Sequence, residues 1–531
     1  MKTFNKILLV LCTILLIVSC QDMEDLNKNP NQPDKVSTAT LLTGAQKKMM
    51  DYIYDTWFSG RQALPYAQYW SQRNYTEEDR YQIRESVNNN YFNHLYVTAG
   101  NYVLIEKMNT DEATKSEASA YGNNNNQIAV AKILKVWLMQ VIADTWGSVP
   151  YSEAFKLNDG IKYPKYDDLD VLYPQLIEEL DQAVALINED EVAFVSGDRI
   201  YDGDASKWKM FANSLKCRLA VRLSKVDPNW RTYIDEALAS GVFTSNDDEA
   251  MFQYSNEAPN ECYFYRGFFV DRRNDFSITK PFTDLLKGQR DTLNNKAHPW
   301  EGIVDPRLSV YTTPRGGKYI GLPYGLPSNR MTSAIRNAAP SWYSPIYDPK
   351  AAPVVLRKDF SVPLMTYAEL CFILSERNNW DRDWYEKGIR ASIEHWYALD
   401  GRTIDQALID DYIDDVNNVV NAETVATQKY IHLYMQGTEA WSEYRRTGYP
   451  LTMLKPGEYS YIVGGEKLPF EPLSETKGDL PARVKYPTNE STLNPDGFNA
   501  AIAKLQDGVN NYYSKMYWDV RTAANPHPAN Q

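Results

Sequence analysis

The chain has 531 residues but only five histidines and five cysteines, and this scarcity removes whole classes of chemistry. His94, His395 and His432 lie in helical patterns, His298 in a loop-like stretch and His527 in a polar tail. None has a second histidine three or four residues away, so a metal site built on one helix is not expected. Beyond the first twenty residues the cysteines are Cys217, Cys262 and Cys371, an odd number with no C-x-x-C. That pattern excludes a framework of paired bridges and a zinc ribbon. Cys217 and Cys371 fall on apolar faces of predicted helices and read as buried thiols, with a single disulfide among the three left open. Also missing are G-x-S-x-G, a Walker lysine loop, a G-x-G-x-x-G opening a helix, and H-E-x-x-H. The acidic runs at 247–249 and at Asp410, Asp411, Asp414 and Asp415 lack the glycine and spacing of an EF-hand loop and read as solvated helix faces or ends. No cofactor is expected, with a structural calcium ion left open. Spacing alone does not decide against a paired-carboxylate glycosidase, whose two acids can stand far apart in sequence.

Basic charge is also in deficit. The formal net charge is −13, which argues against nucleic acid as a partner. After residue 20 no segment approaches 18 consecutive apolar residues, so no membrane-spanning helix is predicted there. The exception is the start: Lys2 and Lys6, an apolar run from Ile7 to Val18, then Ile17-Val18-Ser19-Cys20. A positive start, a short apolar core and a small residue before the cut describe a signal peptide, here 1–19. Ile-Val-Ser-Cys matches the bacterial lipobox, in which the cysteine is acylated, so Cys20 is the expected lipid anchor to the outer membrane. Removing Lys2 and Lys6, and no acid, leaves the mature chain near −15. Residues 20–38, with Asn27, Asn29, Pro30, Asn31 and Pro33, read as a polar, turn-prone tether.

What is abundant is aromatic: 38 Tyr and 13 Trp against 17 Phe. Tyrosine and tryptophan combine a flat apolar face with a polar handle and serve well at wet surfaces. Helical periodicity dominates from Thr40. Ile133, Leu134, Trp137, Leu138, Val141 and Ile142 recur at i, i+4 and i+8 in doublets, and the segments around Leu172–Ala183, Trp208–Leu223 and Leu364–Leu374 repeat the design. The segments 363–379 and 384–397 read as helix, short turn, helix, similar to a tetratricopeptide unit. The prediction is an all-α, mostly helical fold with tetratricopeptide-like pairs and a large irregular, loop-rich region at about 251–362 and 450–496. Loops of that length are functional or disordered, and their aromatic content argues for function.

Several motifs together resemble one family. Asp144-Thr145-Trp146-Gly147-Ser148-Val149-Pro150-Tyr151-Ser152-Glu153-Ala154 resembles the D-x-(W/Y)-G-x-(V/I)-P-Y-(S/T)-E-A run of SusD/RagB lipoproteins. Trp208 to Lys216 with Arg218 and Arg222, then Asp305-Pro306-Arg307-Leu308, 363–370, Trp441 to Gly448, 481–487 and Trp518-Asp519 follow in that family's order. The opening Asp25 to Asn31 is similar to the SusD-like branch. One departure is Leu374-Ser375-Glu376-Arg377-Asn378, where the family has small residues and a glycine turn. The resemblance implies a single SusD-like domain over 39–531 that binds a glycan and passes it, without catalysis, to a SusC-type TonB-dependent transporter. It also implies an outer-membrane location facing the cell exterior, and the acids at 22–25 are similar to an export signal of Bacteroidetes surface lipoproteins. A peptide-binding relative and, further off, a surface glycoside hydrolase are the alternatives.

Sugar faces stack on flat rings, so candidate contacts belong in loops and not on helical periods. Tyr69 to Tyr75 reads as a loop after the first helix, and Arg73, Asn74 and Tyr75 are the expected hydrogen-bonding residues. Trp342 and Tyr343 are the expected stacking platforms, with Trp300 as a further candidate. The motif residues themselves, including Gly147, Arg445 and Arg446, read as structural.

Overall fold

The computed structural model describes residues 36–339 and 353–530. Cys20, most of the tether, Trp342 and Tyr343 lie outside the described residues. The first helix, α1 (Thr38–Ile53), starts at the Ser37 side chain, which accepts from the Thr40 amide at 3.1 Å. The N-terminal helices continue with α2 (Glu85–Thr110), α3 (Asn124–Trp146), α4 (Leu169–Leu186), α5 (Ala205–Arg222) and α6 (Trp230–Ser240). Each packs on its neighbour in sequence. Cross-links show that neighbours run antiparallel: Tyr52 stacks on His94 while Tyr102 meets Met49, and Lys135 reaches Glu106 while Asn109 meets Gln127. Beyond the irregular middle come α7 (Tyr367–Arg377), α8 (Arg382–Asp400), α9 (Gln406–Val416), α10 (Ala422–His432) and α11 (Gly437–Thr447). The fold is all-α, built of tetratricopeptide-like pairs.

The strongest periodic segment turns out to be buried nearly all round. In α3 every residue from Gln127 to Trp146 except Lys132 and Lys135 is buried. The helix lies under α2, α4, α5 and α11, so the apolar doublets read from sequence are only its most hydrophobic stripe. Gly147 ends it at φ +91°, a conformation that favours glycine. The Trp146 indole then donates to Asn88 Oδ1 at 3.1 Å. Where the family's glycine turn is missing after α7, Asn379 and Trp380 make the turn instead, both at positive φ.

A charged layer closes the two helical halves on each other. Arg222 Nη1 donates to Glu443 Oε1 at 2.6 Å and Nη2 to Glu439 Oε1 at 2.5 Å. Arg446 binds Glu376 at 2.6 and 2.7 Å and Glu443 at 2.8 Å. Arg445 donates to the carbonyls of Asp144 and Ala482 at 2.8 and 2.9 Å. Burial acts to raise the Glu443 pKa, yet Arg446, Lys429 and Arg222 hold it well below the usual carboxylate range. The motif arginines are therefore structural. Cys217, Cys262 and Cys371 are free and buried, and burial pushes each thiol up to about 12.

The regions expected to be irregular carry more order than their composition suggests. Four two-stranded antiparallel sheets occur among the described residues. β1 (Trp70–Gln72) pairs with β5 (Phe276–Ile278), and β4 (Ala250–Phe252) with β6 (Val362–Met365). The short β2 (Val149–Pro150) pairs with β3 (Tyr166–Asp167), and β7 (Tyr459–Val463) with β8 (Glu466–Pro469) across Gly464-Gly465. Strands this short show no periodicity of their own, which is why composition reads as loop.

Candidate functional site

The segment 69–75, expected to be a loop facing the ligand, is mostly core. Tyr69, Trp70, Ser71 and Gln72 are fully buried, because β1 is covered by Phe264, Phe268 and Tyr434 as well as by its partner strand. The register Gln72↔Phe276 brings the residues after β1 opposite those before β5. There the chain surfaces. Arg73 is buried, Asn74 is half-buried and bonds the Asn274 carbonyl and Asp275 Oδ1 at 3.5 and 3.4 Å, and Tyr75 is 50% exposed. Tyr75 adopts φ +57°, a left-handed turn that lifts its ring off the sheet.

Two rings at this edge lie against guanidinium groups. Arg61 Cζ stands 5.7 Å and Arg84 Cζ 5.3 Å from the Tyr75 ring centre. Arg61 and Arg273 approach the partly buried Trp57 at 5.0 and 4.8 Å. The arginines are held in turn by two carboxylates. Glu78 takes Arg61 at 2.8 Å and Arg84 at 2.7 Å; Asp275 takes Arg61 and Arg273, both at 3.1 Å. Rings fixed by cations on their faces lose little freedom when a ligand arrives.

Trp57 also borders a cleft of about 280 Å³ between the end of α1, the start of α2 and Tyr263. Tyr52 and His94 stack along it with ring centres 4.2 Å apart and planes at 17°. At its base Asp55 is fully buried, which pushes its pKa up to about 7 against the amides of Ser59, Trp57 and Phe58 and the charge of Arg61. Half-buried rings of Tyr52, Trp57, His94 and Tyr263 line this cleft, and Arg61 stands between Trp57 and the Tyr75 ring. Sequence reasoning missed all of these except Tyr75. Trp57 and Tyr263 met the test of an aromatic outside a helical period, whereas Tyr52 and His94 sit on helices and show themselves only through the packing of α1 on α2.

Arg73 links this face to the root of the 340–352 stretch. Burial, together with the charges of Arg315 and Arg336, pushes its pKa below the ordinary arginine value. Arg336 lies on the short helix Ser333–Ala338, and Arg315 donates to the Ala339 carbonyl at 3.5 Å. Trp342 and Tyr343, outside the described residues, follow three and four positions after that carbonyl. Trp300 is elsewhere. It is 4% exposed, its indole donates to the Val416 carbonyl at 3.3 Å, and it borders a separate cleft of about 680 Å³ beside the α9–α10 junction. Among the described residues no group of histidine, cysteine and acid side chains is arranged to hold a metal ion.

A helical-repeat scaffold presenting a rigid aromatic and arginine face defines the class, and the relatives make it specific. A family described as "Starch-binding associating with outer membrane", SusD-like, matches residues 30–466, and the chain belongs to it. Among solved structures, a chitin-binding protein is 25% identical with a TM-score of 0.71, covering 91% of this chain and 100% of that one. A chitin-binding SusD homolog from Flavobacterium johnsoniae is 23% identical with a TM-score of 0.68, covering 91% and 99%. A SusD homolog from Bacteroides uniformis is 20% identical with a TM-score of 0.67, covering 91% and 99%. Among curated proteins no relative is found. Among the described residues no helix is long and apolar enough to cross a membrane.

Proposed function

We propose that this protein is a cell-surface glycan receptor that captures oligosaccharide on the Tyr75–Trp57 face and delivers it, uncleaved, to a SusC-type TonB-dependent transporter. In this reading 39–531 is one SusD-like unit on the 20–38 tether, and acylated Cys20 fastens it to the outer membrane facing outward. Family membership and the two chitin-binding relatives support the carbohydrate class. The observation that carries the site is the exposed Tyr75 ring, oriented by Arg61 and Arg84 and continuous through Trp57 with the Tyr52–His94 cleft. Arg73 and Asn74 precede Tyr75 on this face, and the expected platforms Trp342 and Tyr343 lie outside the described residues.

The carboxylates here favour binding over catalysis. A glycosidase needs one acid free to give a proton and another free to attack or to activate water. Glu78 and Asp275 are each committed to two arginines, Asp79 is fully buried with Ser71 and the Gln72 amide on one oxygen, and Asp55 is buried and accepts the Ser59 amide at 2.8 Å. The test is retention in native gels containing polysaccharide. Tyr75→Ala and Trp57→Ala are each expected to weaken binding by about tenfold, the scale of one stacked ring, with the thermal melt unchanged. Retention unchanged in both variants removes this face as the site, and turnover of the polysaccharide by pure protein ends the receptor reading.

A further inference from the structure

The face that carries Tyr75 has a charge opposite to that of the chain. The whole protein is at −13, yet Arg61, Arg73, Arg84 and Arg273 gather at this edge, and the segment carrying Arg336 is tied to it by Ser328 Oγ, which meets Thr76 Oγ1 at 3.1 Å and Glu77 at 2.7 Å, with Arg315 joined through the Ala339 carbonyl. Against them stand Asp55, Glu77, Glu78, Asp79 and Asp275. The carboxylates are unevenly shared. Glu78 and Asp275 neutralise Arg61, Arg84 and Arg273, three guanidinium groups for two acids.

On the other side the balance fails. Arg315 is exposed at a tight turn closed by backbone bonds to Lys318, and among the described residues its side chain bonds the Ala339 carbonyl alone. Arg336 is half-buried and its Nε has no hydrogen-bond partner. Among the described residues neither forms an ion pair, although other surface arginines such as Arg330, Arg377 and Arg390 each hold an acid. Like charges held together repel, and in a chain with an excess of acid such a cluster is a poor neutral surface. A guanidinium is planar, always charged, and matches the two-oxygen edge of carboxylate or sulfate.

We propose, resting on the glycan reading above, that the ligand is an anionic glycan whose carboxylate or sulfate groups are taken by Arg315 and Arg336 beside Arg73 while its sugar rings stack on Tyr75 and Trp57. Neutral chitin-type or starch-type chains satisfy the aromatic half of the face and leave the cationic half without a counter-charge.

Isothermal titration of the lipid-free mature protein with three probes tests this: oligogalacturonate for carboxylate, chondroitin sulfate oligosaccharide for sulfate, and chitohexaose as the neutral chain. At least one anionic probe is expected to bind about tenfold or more tighter than chitohexaose, as one charge-assisted bond would give. Which of the two binds names the group. The preference is expected to collapse between roughly 0.05 and 0.5 M salt, as screening shortens the reach of these charges. It is also expected to vanish in the Arg315→Gln/Arg336→Gln variant, with residual binding still sensitive to Tyr75→Ala. Chitohexaose bound as tightly as the anionic probes overturns the anionic assignment and leaves the glycan receptor standing. Anionic binding untouched by the double variant overturns the role of these two arginines. Failure of all three probes, with hexaglutamate bound instead, overturns the glycan reading as well.

Discussion

Arginine is used in two contrasting ways in this molecule. In the layer between the helical halves, Arg222 and Arg446 are enclosed, Arg222 matched by acids of α11 and Arg446 by Glu376 of α7 and Glu443 of its own helix. At the Tyr75 edge, Arg61, Arg84 and Arg273 are matched by fewer acids than their number and lie against aromatic faces. The first arrangement exchanges water for fixed partners and locks α5, α7 and α11 together. The second buries Arg61 beneath the rings but leaves Arg84, Arg273 and the Tyr75 ring partly open to water, at a cost a ligand can recover. The same side chain is a lock where its valences are filled by the protein and a receptor where they are not.

The sharpest way to break the contrast is to unmatch the lock. Glu443→Ala removes the acid shared by Arg222, Arg446 and Lys429, and leaving buried cations uncompensated is expected to cost about 3–5 kcal/mol in urea unfolding. The counterpart Tyr75→Ala, at a half-exposed ring, is expected to stay within about 0.5 kcal/mol of the parent. Equal losses in the two variants would erase the distinction.

A smaller effect tests how the lock supports the face. Gly437 opens α11 against the segment that holds Arg61, and a Cβ there would stand 2.7 Å from the Ala63 carbonyl carbon and the Leu64 nitrogen. Both contacts are backbone, so Gly437→Ala is expected to cost about 1–3 kcal/mol and to weaken glycan binding as well. Destabilisation with unchanged affinity would show that the face does not depend on that contact.

The smallest effect is pH dependence. Burial, then the charges of His395, Arg307 and Lys429, holds the His432 pKa well below its ordinary value. The unfolded chain binds that proton more readily, so His432 subtracts stability as pH falls below about 6.5, by up to about 1.4 kcal/mol per unit. Asp55 and Asp79, both pushed up to about 7 by burial, bind protons more readily when folded and add stability over the same fall. Unfolding of His432→Gln and the parent at pH near 5 and 6.5 separates the terms: the difference between them is expected to shift in favour of the variant at the lower pH. A constant difference would show that His432 does not titrate across this window.

Much of the fold was legible in the residues. The periodic segments became helices, except that 363–365, read as the start of a helix, pairs with β4 as strand and the helix begins at Tyr367; the motif arginines became structural, and Cys217 and Cys371 became buried thiols. The candidate site was legible only in part. Tyr75 is half-exposed, but Trp70 in the same segment looks the same in sequence and is fully buried, because β5 arrives from two hundred residues away to cover it. Trp300 stands in an aromatic, proline-flanked stretch like a binding residue and is packed beneath the α9–α10 junction.

Helical periodicity depends on neighbours three and four positions apart, so the sequence by itself determined the helices and the order of family motifs. Exposure of a ring, and whether an arginine finds its acid, depend on which distant segments meet. Arg61 and Asp275 are 214 positions apart and meet at 3.1 Å. Only the tertiary structure decided that contact, and with it which face of this protein is aromatic and cationic in an otherwise acidic chain.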